Sequence, residues 1–324
     1  MKKRKKIGLA LGGGSARGLC HIGVLKILHK QGIHPDYIAG TSMGAVIGAM
    51  YAAGHSPEEI EEIAKTTDWK NIIDFTLPKA GLVQGRKVEN MIRTSVFNKK
   101  FKNLDIPFKA VAYNLSNHHQ VLFNRGDVAK AVRASLSVPG LFAPVKIGRN
   151  IYVDGGISNP TPFDVVREMG ADIVIAVDLF SKQSVIKGYE AKDEGFLVEL
   201  REKFIGDELA RMKKIIIPDY LPEFLLRLIR WIFDRLLYPT RILKIMAGRE
   251  MPEITKVMYG SITSLISNLA VERMKYADVD IKITPSFGKL QWSDFDHSHN
   301  FVKIGEKAML KKMPELRRLM RKRN

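Results

Sequence analysis

The first 54 residues hold two short apolar runs, each stopped by a glycine-rich turn and followed by a helical pattern. Ile7–Leu11 runs into Gly12-Gly13-Gly14-Ser15-Ala16-Arg17-Gly18, and residues 37–39 run into Gly40-Thr41-Ser42-Met43-Gly44. A brief apolar run between turn signals reads as a strand buried on both faces. Leu19, Ile22, Leu25 and Leu28 recur at helical spacing over 16–31, and Gly32 is placed to close that helix. A helix of small residues over 45–53 ends at Gly54. Strand, glycine turn and helix, repeated, predict a parallel sheet covered by helices.

The rest of the first half continues in kind. Residues 56–101 read as mainly helical, with Pro57 at a helix start. Strands are expected at 108–114, 120–123, 143–147, 151–153 and 172–177. Helices are expected from an Asp127 cap to about Leu136 and over 162–169. Beyond about residue 185 the sequence is helical and charge-rich, apart from a strand at 279–283. The expected fold is a three-layer α/β sandwich with a mainly parallel central sheet. Its core spans 1–185, and a mainly helical part, 186–324, packs on it as a C-terminal elaboration.

The 324 residues carry one cysteine, Cys20, which excludes an internal disulfide and a cysteine-based metal cluster. Cys20 reads as a small buried residue on a helix. The net charge is +18, with basic runs at 2–6 and 317–323. Such an excess attracts anionic partners or serves solubility. No nucleic-acid motif accompanies it, so lipid headgroups are the better match and no nucleic acid is expected. No secretory h-region and no run of about 20 apolar residues is seen. A cytoplasmic protein, peripheral at most to the inner membrane face, is therefore expected.

Gly40-Thr41-Ser42-Met43-Gly44 fits G-x-S-x-G between a strand and a helix, the context of a nucleophile elbow. Glycines clear a tight turn that lifts the serine to a helix N-terminus, where developing negative charge is favoured. Ser42 is the candidate nucleophile; otherwise it is a turn serine capping a helix. The glycines at 12–14 suit either a phosphate cradle or an oxyanion hole. The chain lacks G-x-x-x-x-G-K-[ST] and fits G-x-G-x-x-G poorly, so the elbow serine on the next strand favours the oxyanion reading. Arg17 can hold that loop or add positive charge. Asp154-Gly155-Gly156 ends a strand of the same sheet, where a carboxylate can accept the serine proton; by itself it reads equally as a turn aspartate.

Taken together, these three motifs resemble, in order and context, those of the patatin-like phospholipases. Segments 131–145 (AVRASLSVPGLFAPV) and 172–179 extend the resemblance over about 7–180. The resemblance implies catalysis by a Ser42–Asp154 dyad without histidine. It also implies an oxyanion loop at Gly12, Gly13 and Gly14, with Arg17 matching the loop's basic residue. Gly40, Gly44, Gly155 and Gly156 support the turns. The expected activity is hydrolysis of carboxylic esters of lipids through an acyl-enzyme, with no metal and no cofactor.

Two rivals use the same residues differently: an inactive patatin-like lipid-binding protein and a nucleotide-binding protein. A Ser-Asp-His triad would need a late histidine, and His297 or His299 could supply it. The other histidines read as structural or surface residues. Residues 223–244 present a wide apolar face with arginines and Trp231. That pattern suits an anionic membrane interface, to which the basic termini could add, and equally packing on the core or on a second copy of the chain.

Overall fold

Ile7–Leu11 forms β1, and all five residues are buried, as a strand covered on both faces requires. The computed structural model describes residues 4–69, 72, 74, 83–180 and 253–321. The segment 223–244 and the basic residues Lys2, Lys3, Lys322 and Arg323 lie outside the described residues. The chain divides into two compact units; Met1–Tyr189 with Tyr259–Asn324 is the first, and Glu190–Met258 the second.

Around β1 stand β2 (Tyr37–Thr41), β3 (Phe108–Asn114), β4 (His119–Phe123), β5 (Val145–Ile147), β6 (Asn150–Asp154), β7 (Ile173–Val177) and β8 (Ile281–Ile283). Their order is β5-β6-β3-β2-β1-β7-β8, and β4 pairs with β3. The run from β3 through β2, β1 and β7 to β8 is parallel; β4, β5 and β6 are antiparallel additions.

The helices are α1 (Cys20–Lys30), α2 (Met43–Ala52), α3 (Pro57–Thr66), α4 (Arg86–Ser95), α5 (Val128–Ser135), α6 (Phe163–Glu168), α7 (Glu253–Lys275) and α8 (Ser298–Arg321). The helix expected over 16–31 begins as a 3-10 turn, Ser15–Leu19, before α1. It closes at Gly32, whose φ of 64° suits a residue without Cβ. Ser56 and Glu59 form a capping box at the start of α3, with Pro57 as its first residue. Among the described residues no helix is long and apolar enough to cross a membrane.

Side-chain alternation splits the core into two layers. Leu9, Leu11, Ile38 and Ile175 join the cluster containing α1, α2 and Phe301 of α8. Ala10, Ala39 and Ala176 join the opposite cluster with Val165 and Val166 of α6 and Met274 of α7. Helices therefore cover both faces of the sheet, giving the three layers expected. Helices α1 and α8 cross at backbone contact: a Cβ at Gly305 would overlap the carbonyl oxygen of Cys20, and one at Gly23 that of Val302. The returning strand β8 extends the parallel sheet beyond β7, with Ile175 opposite Ile281.

Candidate active site

Two strand ends meet on β3. Strand β2 finishes with Thr41 opposite Val111, and β6 finishes with Asp154 opposite Ala112. Strand β4 holds the other edge of β3, pairing Ala112 with Val121, so β6 takes up the edge that β2 has just left. Ser42 and Asp154 thus converge head to head. The sequence had suggested a carboxylate at the common edge of a parallel sheet. The strand is instead antiparallel and approaches from the opposite direction, since β6 follows β5 as a hairpin.

Ser42 links β2 directly to α2 and is 7% exposed. Its φ of 55° and ψ of −124° lie in a region a side chain rarely adopts, a cost tolerated where surroundings enforce it. Gly40 and Gly44 permit the turn, because a Cβ at either would strike backbone: that of Gly44 from Gly40, and that of Leu11 from Gly44. Thr41 Oγ1 donates to the Asn159 carbonyl at 2.8 Å, and the Ser42 N–H donates to Ser135 Oγ at 2.9 Å.

Asp154 is buried. Its Oδ1 accepts the Gly156 N–H at 2.7 Å, whereas Oδ2 has no hydrogen-bond partner. Burial pushes its pKa up to about 6, against a lowering by the Gly156 N–H and the Ser42 side chain. The Ser42 hydroxyl is thus close enough to act on the carboxyl, without the geometry of a formed hydrogen bond. Gly155 is required because a Cβ there would overlap the Val111 carbonyl.

The glycine loop borders the serine: a Cβ at Gly13 would lie 3.2 Å from Ser42 Cβ. Of the three amides expected to face a substrate, those of Gly12 and Gly13 have backbone acceptors in this structure. Gly12 N–H donates to the Val177 carbonyl at 3.1 Å and Gly13 N–H to the Pro160 carbonyl at 3.0 Å. The end of β7 and the loop before α6 capture the first two amides, and the Gly14 and Ser15 N–H groups are left without an acceptor among the described residues. Arg17 stacks over Phe287 at 5.4 Å, and the Trp292 carbonyl accepts the Ala16 N–H at 2.9 Å, so the segment before α8 holds the loop.

His21 is buried and neutral, its pKa pushed down to about 4 by burial, and its Nε2 donates to the Gly12 carbonyl at 2.8 Å. His299 stands 3.5 Å from Glu61 on α3. Among the described residues no hydrogen bond or ion pair joins His297 or His299 to Ser42 or Asp154.

Helix α5 supplies residues that motif reading missed. Besides Ser135, it leads to Ser137, whose carbonyl accepts the Asp154 N–H at 2.9 Å. Arg133 is 2% exposed and donates to Ser137 Oγ and to the carbonyls of Gln84, Gly85 and Ala143, at 2.7–3.0 Å. Burial pulls its pKa to about 10, so it stays charged at neutral pH. The only sequence signal was the cluster of small polar residues in ASLSVPG, which follows a helix and precedes a turn.

A helix-covered sheet with a buried serine and aspartate meeting at a strand-to-helix elbow defines the class. Residues 9–167 match the family model described as patatin-like phospholipase, and this stretch of the chain is a domain of that family. An uncharacterized NTE family protein of Mycobacterium tuberculosis is 38% identical over 177 residues, covering 54% of this chain and 49% of that protein. Mouse patatin-like phospholipase domain-containing protein 6 is 35% identical over 185 residues, covering 54% of this chain and 14% of that protein. The chain thus spans about half the length of the mycobacterial relative and far less of the mouse one. The crystal structure of VipD from Legionella pneumophila matches 97% of this chain and 67% of that one, with a TM-score of 0.57 and 12% identity, a likeness of fold.

Proposed function

We propose that the chain is a serine acyl-hydrolase that cleaves carboxylic esters of lipids, phospholipids among them, through Ser42 and Asp154. One observation carries the reading. A buried carboxylate with an unpartnered oxygen meets a strained elbow serine where two strand ends converge. A carboxyl group with a pKa near 6 is matched to proton transfer at neutral pH.

In the proposed reaction Asp154 takes the proton of the Ser42 hydroxyl as its oxygen attacks the ester carbonyl. The N–H groups of Gly14 and Ser15 and the N-terminal end of α2 stabilise the oxyanion. Collapse breaks the ester bond, the departing alcohol takes the proton from Asp154, and an acyl-Ser42 ester remains. Asp154 then deprotonates a water that attacks the acyl-enzyme, releasing the fatty acid and restoring Ser42. The family description and the +18 charge support a lipid ester as substrate.

A fluorophosphonate probe, with the labelled peptide read by mass spectrometry, tests the reading. Stoichiometric labelling at Ser42 that disappears in Ser42→Ala is expected. A folded wild-type chain that resists the probe would favour a lipid-binding protein without catalysis.

A further inference from the structure

We infer that the solvent face of α8 is a docking surface for an anionic phospholipid bilayer; the choice of a bilayer among polyanions rests on the lipid-ester reading above. Phe301, Met309, Met313 and Leu316 bury the opposite face of this helix. Lys303, Lys307, Lys311, Arg317, Arg318 and Arg321 are all exposed. At 100° per residue they fall within about one third of the helix circumference, as a stripe of about 27 Å at 1.5 Å per residue. None of the six makes an ion pair with a described carboxylate. The helix's own Glu306 and Glu315 flank the stripe and pair with Lys26 and Lys312.

The stripe is therefore an uncompensated row of cations on one helix, anchored by glycine contacts to α1. Leu310, 53% exposed, sits in its middle, where a side chain between lysines can enter the headgroup boundary. An apolar side chain gains nothing against a phosphodiester backbone, which is bound by charge and hydrogen bonds. A row of side chains on an exposed helix face also matches a plane better than a groove. Each cation near an anionic leaflet contributes about 1 kcal/mol, so reversing three changes partition by about 100-fold or more.

The test is co-sedimentation of the full chain with phosphatidylcholine vesicles, with and without phosphatidylglycerol, at low and high salt. Wild type and Ser42→Ala should both bind the anionic vesicles, lose them at high salt and ignore phosphatidylcholine alone. The combined variant Lys303→Glu, Lys307→Glu, Lys311→Glu should lose about 100-fold or more in partition. Its Tm and its rate on a soluble ester should stay as in wild type. If the reversed variant unfolds, the matching Lys→Gln variant takes its place with a smaller loss. Unchanged binding by the folded variant would overturn the proposal. So would wild type ignoring anionic vesicles while binding a DNA duplex. Vesicle binding without Ser42-dependent hydrolysis would sink the catalytic reading and leave the docking surface standing; the converse would sink the docking surface alone.

Discussion

The Ser42 amide donates to the hydroxyl of Ser135 at 2.9 Å, with Ser135 fully buried at the end of α5. This bond ties the strained elbow to a helix distant in sequence. In Ser135→Ala the amide is a buried donor without a partner, at a cost of about 1–3 kcal/mol. If half of that falls on the placement of Ser42, kcat drops about 2- to 10-fold with little change in KM. Steady-state kinetics on a soluble ester, beside a melting curve, check this; equal losses in kcat and stability with a raised KM would point to general loosening.

The raised pKa of Asp154 gives two linked expectations. Its ionised form is the proton acceptor, so kcat/KM should fall as pH drops below about 6. Folding raises this pKa from an ordinary 3.8 to about 6, so the folded state holds the proton more tightly than the unfolded. That stability is present in full below about pH 4 and is lost as pH rises through about 6.

Asp154→Asn keeps an oxygen for the Gly156 N–H and carries no charge to bury. At pH 7 it should be more stable than wild type by up to about 3 kcal/mol, with the gain gone by pH 4. Denaturant melts at the two pH values measure it, and a variant less stable at pH 7 would contradict the buried ionised carboxylate.

Arg133 joins Ser137 to three carbonyls with a single guanidinium. Arg133→Met removes the donors and leaves those carbonyls bare, which should cost about 3 kcal/mol or more. Ser137 also holds the Asp154 amide, so ester activity should fall further than the loss of fold accounts for. Activity measured well below the variant's Tm tests the second part.

Gly305→Ala should separate α8 from α1, because its Cβ would overlap the Cys20 carbonyl. A loss of about 3 kcal/mol is expected. Since the segment before α8 also holds the Gly14–Arg17 loop through Phe287 and Trp292, reactivity toward the fluorophosphonate should fall as well. Wild-type labelling in a destabilised variant would show the loop to be independent of α8.

The parallel half of the sheet was legible because its strands are continuous apolar runs and its turns need glycine. β1 falls where the sequence placed it, and α5, α6 and β7 within a residue or so. The elbow around Ser42 was legible for the same steric reason. The direction of β6 was not, since an antiparallel strand of Ile151, Tyr152 and Val153 has the same apolar pattern as a parallel one. The partners of the glycine-loop amides were hidden too: Val177 and Pro160 are far along the chain, and only the closed sheet sets them against Gly12 and Gly13. The same holds for Ser135 and Ser137, ordinary small residues until the sheet brings them beneath Ser42 and Asp154. Gly23 and Gly305 gave no signal, as a helix crossing at backbone contact depends on which two helices meet.

Hydrolysis of a short-chain p-nitrophenyl ester by wild type, Ser42→Ala and Asp154→Asn tests the central claim most directly. The dyad predicts an active wild type, and two folded variants reduced by several orders of magnitude. Full activity in Ser42→Ala would contradict it outright, and full activity in Asp154→Asn alone would return the proton to another base.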